Sequence, residues 1–318
     1  MNVELWRRLV EARGATLPLG ALGPDAVAIG RDLDELEALG YAIDRPPYLG
    51  AAYRGPSPRL VVDQIERDPT PIHIGRRVAV WRRVGSTNDL AARAAASRAN
   101  DGLVVLAEEQ TQGRGSRGRR WVAPAGTSIL LSALVFPPEP LVDAAWLTAL
   151  GAVATAEVVE EITGAEARIK WPNDVRVGGS KVAGVLVERG AGAVIGVGLN
   201  VSAAPPASGL PVGSPAASLA MLGGPGLDRS EIARGLIGRL DGHYVRGLAE
   251  GPSPLIEAWR GRLELMGREV RVETSAGWVE GRLVDVDPAM GLRIEGAGRS
   301  RTTVAGPSVR SLSPAGPS

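Results

Sequence analysis

The chain has 318 residues, of which 44% are hydrophobic and 22% charged, and its net charge at pH 7 is +1. This balance excludes a global basic field for nucleic acid or an anionic membrane, so any phosphate recognition must come from a local cluster. Without cysteine, disulfides, thiolate metal sites and cysteine nucleophiles are excluded, and two well-separated histidines argue against a histidine metal site.

The apolar segments are too short for a membrane span. The start, "MNVELWRRLV", has no apolar signal core, and the longest apolar run, Ala144 to Ala156, stops at Glu157. A helix that spans a bilayer needs about 20 apolar residues. We therefore expect a cytoplasmic protein without membrane contact.

Residues 1–66 predict a winged-helix-like domain. The stretches "VELWRRLVEA" and "DAVAIGRDLDELEALG" have helical apolar spacing, and "YAIDRPPYLGAAY" has the pattern of a small hairpin. The second helix lies where a DNA-reading helix is expected. It sets Arg31 against five acidic residues, Asp25, Asp32, Asp34, Glu35 and Glu37. Because DNA-binding surfaces bring Lys and Arg to phosphates, we expect a degenerate domain that binds no operator specifically.

Two further regions follow. Residues 72–263 alternate strand and helix signals: "GLVVLAEEQ" and "TSILLSALVF" are strand-like, Asp143 to Thr163 is helical, and "EARIKW", "KVAGVLVER" and "AVIGVGLNV" are strand-like again. Two helices are predicted from Asp228 and Ser253. Residues 265–313 contain the valine-rich strands "REVRVETS", "GWVEGRLVDVD" and "GLRIEG", joined by glycine turns, which is typical of a small barrel.

The first chemical motif is "GSTNDLA", in which Ser86, Thr87 and Asn88 precede a predicted helix. Such residues are favoured helix caps, and capping alone would explain them. The alternative is that their hydroxyl and amide groups line a pocket and bind the polar end of a small molecule. The motif alone leaves both readings open.

The second motif is "EEQTQGRGSRGRRW", Glu108 to Trp121, which combines three glycines with four arginines. Glycine allows close approach to an anion and arginine supplies donors, so the stretch suits a loop that closes over phosphates. It has neither the Walker-A ending nor a dinucleotide fingerprint. An exposed loop that contacts RNA or stays solvated is the competing interpretation.

The third motif, "KWPNDVRVGGSK", contains both lysines of the chain, Lys170 and Lys181. A hairpin with a turn at Gly178 and Gly179 would bring these lysines and Asp174 to one end of a sheet. A lysine is a compact point charge, which suits a place between a carboxylate and a phosphate better than the arginine fork does. The alternatives are codon drift and an ordinary surface ion pair.

In this order, with "GVGLN" after them, the motifs resemble those of the biotin protein ligases, enzymes that attach biotin to carboxylases. The resemblance covers the whole middle region, and the flanks are similar to the longer bacterial members. It implies an α+β fold: a mixed-sheet catalytic domain of the biotin/lipoate ligase, class II synthetase-like type at 72–263. The family's winged-helix domain then corresponds to 1–66 and its SH3-like barrel to 265–313.

The resemblance also implies roles for individual residues. Four are implied as catalytic, with Lys181 on the biotin carboxylate and α-phosphate and Asp174 orienting the acceptor lysine: Lys181, Arg114, Asp174 and Lys170. A second set binds biotin: Ser86, Thr87, Asn88, Gln110, Arg114, Gly115, Ser116 and Lys181. A third set forms the ATP and adenylate loop and its surroundings: Gly113, Arg117, Gly118, Arg119, Trp121, Asn173 and Asn200.

The implied reaction joins biotin to ATP as biotinyl-5′-AMP and then transfers biotin to a lysine of a biotin carboxyl carrier protein. Mg²⁺ accompanies ATP, no permanently bound metal is expected, and a homodimer is compatible with the family. Ser116 departs from the pattern, because this position is often arginine and is thought to help retain the adenylate. Arg117 or Arg119 would have to compensate. A lipoate protein ligase and a repressor that only senses biotinyl-AMP are the alternatives.

Overall fold

The computed structural model describes residues 1–67, 71–205, 215–223, 227–287, 290–296, 298 and 300–316. Its first part contains α1 (Val3–Glu11), α2 (Leu19–Leu22), α3 (Ala26–Ala38), β1 (Ala42–Asp44), β2 (Ala52–Gly55) and α4 (Val62–Ile65). The Asn2 side chain starts α1 by accepting a hydrogen bond from the N–H of Leu5 at 3.1 Å, and Asp25 caps α3 in the same way. Strands β1 and β2 pair antiparallel. Both predicted helices and the hairpin are therefore observed.

The middle region contains β3 (Arg77–Trp81), α5 (Thr87–Ala94), β4 (Leu103–Ala107), β5 (Ser128–Val135), α6 (Ala144–Thr163), β6 (Ala167–Lys170), β7 (Asp174–Val177), β8 (Ser180–Arg189), β9 (Ala193–Asn200), α7 (Leu219–Gly223), α8 (Arg229–Glu250) and α9 (Ser253–Arg262). Within the described residues, seven strands form one sheet in the order β3-β4-β5-β9-β8-β7-β6. The β3–β4 pair is parallel, and the other pairs are antiparallel. The edge strand β3 was not among the predicted elements.

Helix α6 covers one face of this sheet. It is apolar on nearly every side because it packs on the sheet and also against α8 and α9. Its approach to β8 is close, since a Cβ on Gly151 would lie 2.7 Å from a Val185 methyl. The opposite face of the sheet carries α5, packed on Val105, Leu134 and Val194. Within the described residues, the part of this face next to α5 is not covered by another helix.

A buried ion pair joins the first region to the middle one. Glu108, just after β4, accepts a hydrogen bond from the N–H of Leu60 at 2.6 Å. Its other carboxylate oxygen lies 2.6 Å from Arg229 at the start of α8, whose side chain is 5% exposed. Arg229 also donates to the carbonyl of Pro58 at 2.5 Å. The end of the first region, at Pro58 and Leu60, is therefore held on the central sheet two residues from Gln110.

The last region contains β10 (Glu269–Thr274), β11 (Gly277–Asp287), β12 (Gly291–Glu295), β13 (Arg301–Val304) and β14 (Val309–Pro314). In the part of it that is described, these strands form one antiparallel sheet in the order β13-β12-β11-β10-β14. The sequence predicted the first three strands and missed β13 and β14. Across the helices with described coordinates, none is long and apolar enough to cross a membrane.

Candidate active site

A cavity of about 590 Å³ lies on the free face of the central sheet. Most of the residues singled out in the sequence line it: Ser86, Thr87, Asn88, Gln110, Arg114, Gly115, Ser116, Arg119, Trp121, Lys170, Asn173, Asp174, Lys181 and Asn200. Gly113 and Gly118 line a smaller adjoining cavity of about 430 Å³. Arg117 lines neither of these two cavities, because its guanidinium turns to the carbonyls of Val309 and Arg310. The three motifs thus meet in space, with Arg117 as the exception.

The floor of the cavity is made of glycine. Gly184 on β8 and Gly198 on β9 are direct register partners, and the indole of Trp121 lies on them. A Cβ on Gly198 would be 2.4 Å from the Trp121 ring, and one on Gly196 would be 2.4 Å from Asn88 Oδ1. Any larger residue at these places would overlap with the groups above the sheet. The two glycines of the "GVGLN" motif therefore make room for Trp121 and Asn88, because they have no side chains.

A buried hydrogen-bonded cluster forms one wall. The backbone N–H of Thr87 donates to Gln110 Oε1 at 2.7 Å, and the Thr87 hydroxyl lies 2.9 Å from the same oxygen. Ser132 Oγ lies 2.8 Å from Thr87 Oγ1 and 2.5 Å from Asn88 Oδ1. Because an amide oxygen only accepts, Ser132 must donate to Asn88. The cluster fixes the orientation of each amide and hydroxyl group before any ligand arrives.

The capping interpretation of "GSTN" is wrong. Ser86 is the N-cap residue of α5 by conformation, but its side chain makes no capping hydrogen bond. Gln110 instead accepts from the first helical N–H, that of Thr87. Since Ser86 is buried and lines the cavity, its hydroxyl is available to a ligand.

Arg114 is held by two carboxylates. Its guanidinium donates to Asp89 at 2.7 Å and to both oxygens of Glu188 at 3.1 and 2.9 Å. Glu188 also accepts from Asn88 Nδ2 at 2.7 Å. The hydrogen bonds from Arg114 hold the pKa of Asp89 and of Glu188 below the ordinary values, so both are charged at neutral pH. We call Asp89, Arg114 and Glu188 the arginine clasp.

The glycine-rich segment folds back on itself as a short hairpin. The N–H of Trp121 donates to the carbonyl of Gly113 at 2.9 Å, and that of Gly115 donates to Arg119 at 2.7 Å. At its tip, the side chain of Arg119 donates to Ser116 Oγ at 2.8 Å. The guanidinium of Arg119 thus lies beside Ser116, the position at which this chain departs from the resemblance noted above.

The "KWPND" hairpin has the predicted geometry. Lys181 Nζ lies 2.5 Å from Asp174 Oδ1, and 5.5 Å from the centre of the Trp121 ring. A register shift between Val175 and Arg176 makes Arg176 face Lys181 directly, so that Lys181 and Gly184 both face the cavity. Lys170 is the register partner of Asp174 and lies exposed at the cavity rim.

Two asparagines tie down the surrounding segments. Asn173 Nδ2 donates to the carbonyl of Val185 at 2.6 Å, and Asn200 Nδ2 donates to Ala217 at 3.1 Å. Asn200 Oδ1 and Trp121 Nε1 are buried without a hydrogen-bond partner among the residues that the structure describes. Buried polar atoms of this kind normally have partners, so these two suit a polar ligand in the cavity.

Three residues that contact the site were not predicted from the sequence: Ser132, Asp89 and Glu188. Ser132 did leave a signal, since it is the single hydroxyl inside the apolar stretch "ILLSALV" of β5. Asp89 lies in the first turn of α5 and Glu188 next to the end of β8, and no sequence motif marks either of them. In the described part of the chain, no group of three or more His, Cys, Asp or Glu side chains could hold a metal ion.

Comparison with characterised proteins gives consistent matches. The model of the biotin/lipoate A/B protein ligase family matches residues 80–200. The biotin–[acetyl-CoA-carboxylase] ligase of Mycobacterium tuberculosis is 38% identical over 238 residues, which are 73% of this chain and 88% of that protein. The bifunctional ligase/repressor BirA of Bacillus subtilis is 28% identical over 280 residues, 84% of each chain.

The fold is shared with a solved structure, that of the Aquifex aeolicus biotin protein ligase in complex with biotin and ATP. The TM-score is 0.64 at 24% identity, and the match covers 76% of this chain and 100% of that one. The predicted mixed-sheet catalytic fold is thereby confirmed.

We predict that Gly198→Ala lowers the free energy of unfolding, because its Cβ would overlap with the Trp121 ring and overpacking costs about 1–3 kcal/mol. Gly190→Ala is the matched control, since a Cβ there meets nothing within 4 Å and should change stability by less than about 0.5 kcal/mol. Urea unfolding of both variants measures the difference. Equal stabilities would show that the indole moves aside freely.

Proposed function

This chain belongs to the biotin protein ligases, and from this membership and the chemistry of the cavity we propose that it activates biotin with ATP and transfers it to a carrier protein. The observation that supports this most directly is that one cavity is lined by the Lys181–Asp174 pair, by Arg114 of the clasp and by four polar residues, Ser86, Thr87, Asn88 and Gln110. Its volume of about 590 Å³ lies in the range of ~300–1,000 Å³ usual for small-molecule sites. ATP and biotin are its substrates.

In the first step, a carboxylate oxygen of biotin attacks the α-phosphorus of ATP and pyrophosphate leaves. Ser86, Thr87, Asn88 and Gln110 hold the polar ring end of biotin, for which hydroxyl and amide groups supply both donors and acceptors. Lys181 is the point charge between the carboxylate and the phosphate. Mg²⁺ enters with ATP as part of that substrate.

Arg114 assists only after a rearrangement of the clasp. One guanidinium that faces two carboxylates has no surplus positive charge for a phosphate, so it must release Asp89 or Glu188 when the adenylate forms. The rest of the proposed adenylate surroundings comprises Gly113, Gly115, Ser116, Gly118, Arg119, Trp121, Asn173 and Asn200. Arg119 is the proposed substitute for the arginine that the family often has at position 116, since it lines the cavity beside Ser116.

In the second step, the amine of the acceptor lysine attacks the carbonyl carbon of biotinyl-AMP and AMP leaves. Asp174 is the proposed guide for this amine. Its Oδ1 already binds Lys181, which leaves Oδ2 to accept a hydrogen bond from the incoming group. Lys170 stands across the strand pair from Asp174 and is proposed to assist in holding phosphate charge at the rim.

We extend the proposal to the domains, the partners and the location. Residues 1–66 form a winged-helix-like domain, 72–263 the ligase domain and 265–313 an SH3-like barrel. The acceptor is a biotin carboxyl carrier protein or domain of a biotin-dependent carboxylase, and the reaction takes place in the cytoplasm, either by a monomer or by a homodimer. The two helices and hairpin of the first region and the antiparallel five-stranded sheet of the last are consistent with this division.

The decisive experiment separates the enzyme from its alternatives. The purified chain with ATP, Mg²⁺ and labelled biotin should label a biotin carrier domain, and with lipoate it should leave a lipoyl domain unmodified. Transfer is read on filters or by mass spectrometry. Lipoyl transfer without biotin transfer would identify a lipoate ligase, and adenylate formation without any transfer would identify a sensor.

We predict that Lys181→Arg lowers the rate of adenylate formation about tenfold or more, equivalent to ~1.4 kcal/mol of transition-state stabilisation. Lys181 Nζ lies 5.5 Å from the centre of the Trp121 ring, and a Cβ added to Gly184 would be only 3.1 Å from it, so the wider fork of arginine has little room there. Lys170→Arg is the matched control and should be milder, because Lys170 is exposed at the rim. Pyrophosphate release measures the rate for both variants. Equal rates near that of the wild type would mean that the two lysines survive only through codon drift.

We also propose that the first domain does not recognise operator DNA. The acidic residues of α3 serve contacts within the domain: Asp34 and Glu37 pair with Arg45 at 2.5 and 3.3 Å, and Asp32 accepts from Asn2 at 2.7 Å. The helix therefore presents structural carboxylates where DNA would require cations.

For DNA, we predict no sequence-specific complex in a gel shift at physiological salt with biotin and ATP present. The probes are the upstream region of this chain's own gene and those of biotin genes, with an unrelated fragment as the control. A specific complex at nanomolar protein would contradict the proposal and would show a repressor like the bifunctional relatives.

A further inference from the structure

The tip of the glycine-rich hairpin binds the last strand of the chain. Arg117 occupies the left-handed region with φ 60°, and Gly118 follows with φ 72°. This backbone turns the Arg117 side chain away from the cavity. Its guanidinium donates to the carbonyl of Val309 at 2.9 Å and also to that of Arg310, both in β14. The hairpin is thus connected to a separate part of the fold.

The segment that leads into the C-terminal sheet is bonded to β6 and β7. The N–H of Glu264 donates to the carbonyl of Ile169 in β6 at 3.0 Å. Glu264 also pairs with Arg176 in β7 at 3.2 Å, and a Cβ on Gly306, just before β14, would lie 3.9 Å from the ring of Trp171. The "KWPND" hairpin therefore holds the start of the C-terminal region.

Together these contacts connect the glycine-rich hairpin, through the C-terminal region, to β6 and β7, whose residues Lys170 and Asp174 also line the cavity. The glycine-rich hairpin rises between β4 and β5, Arg117 reaches β14, and the C-terminal sheet returns to β6 and β7. We propose that Arg117 is a positioning residue that latches the hairpin to the C-terminal sheet and so controls how long the reaction intermediate is retained. This deepens the proposed function and rests on it for the identity of the intermediate, biotinyl-AMP.

Arginine is required for this latch by geometry. Two successive backbone carbonyls are bound by two different nitrogens of one guanidinium, and its planar fork holds both with a fixed orientation. A lysine in the same place could reach one carbonyl at a time. The acceptors are uncharged backbone groups, so the side chains of β14 can change without removing them.

The contact made by Arg117 is expected to matter more in this chain, because Ser116 brings no positive charge to the cavity. Arg114 is paired with two carboxylates, which leaves Arg119 as the proposed charge beside Ser116. Among the described arginines of the hairpin tip, Arg117 is the one that contacts the C-terminal sheet. In this proposal, Arg117 keeps the hairpin in place and so keeps Arg119 at the cavity.

The test uses Arg117→Gly, Arg117→Lys and the control Arg310→Ala in the full chain. Glycine tolerates the positive φ, so this variant removes the latch without backbone strain. Arg310→Ala removes a neighbouring exposed charge and keeps the carbonyl. We expect biotinyl-AMP to dissociate about tenfold faster from Arg117→Gly, as for the loss of hydrogen bonds from a charged donor. Arg117→Lys should be intermediate, and Arg310→Ala should match the wild type.

A second measurement does not depend on the reaction. Hydrogen exchange at the Gly115 and Trp121 amides of the ligand-free protein should be faster in Arg117→Gly than in wild type and Arg310→Ala. Faster exchange and faster dissociation together support the latch. Unchanged exchange, or unchanged dissociation in a variant that forms biotinyl-AMP, overturns it. A wild-type protein that forms no biotinyl-AMP would instead overturn the proposed function, and hydrogen exchange would still decide the latch.

Discussion

The site depends on one constraint, the absence of side chains at Gly184, Gly196 and Gly198 on the cavity face of β8 and β9. Alternation along a strand sends neighbouring residues to opposite faces. Gly196 and Gly198 therefore face the cavity, while Ile195 and Leu199 pack in the main core, the side that α6 covers. The same alternation that supplies the apolar core leaves the backbone bare at these glycines on the other face. Trp121 and Asn88 can lie directly on the sheet only because of this.

Local signals in the sequence predicted most of the elements, and tertiary contacts determined the rest. The Gly178–Gly179 turn and helix α6 were predicted because a glycine pair marks a turn and a long alanine-rich apolar run marks a buried helix. The edge strand β3 has a mixed burial pattern, and its first and last residues are exposed, so no alternation marks it. Strands β13 and β14 are rich in Thr, Ser and Arg and have few buried residues. Their pairing is fixed by β12 and β10, which no local pattern reveals.

The same distinction applies to the site. Residue types and their order indicated which side chains meet, including the Lys181–Asp174 pair, but not what each one contacts. The start of α5 is an example: the sequence could suggest a cap for it, but could not show that Gln110, from another segment, takes that place. The direction of Arg117 and the pairing of Glu188 with Arg114 likewise depend on backbone conformations and on distant chain segments. Negative charge also exceeds positive charge in the clasp, so Arg114 has no surplus charge for an anion until the clasp rearranges.

The contact between Arg117 and β14 has a consequence for biosynthesis. The bonded residues are 192 and 193 positions apart in sequence, and domains generally fold from the N-terminus while the chain is being made. The central sheet, with its cavity, can assemble on the ribosome while β14 is still unsynthesised. A nascent chain can therefore have the central sheet in place while the contact between Arg117 and β14 is still missing. The proposed latch forms only after β14 has been synthesised and has paired with β10.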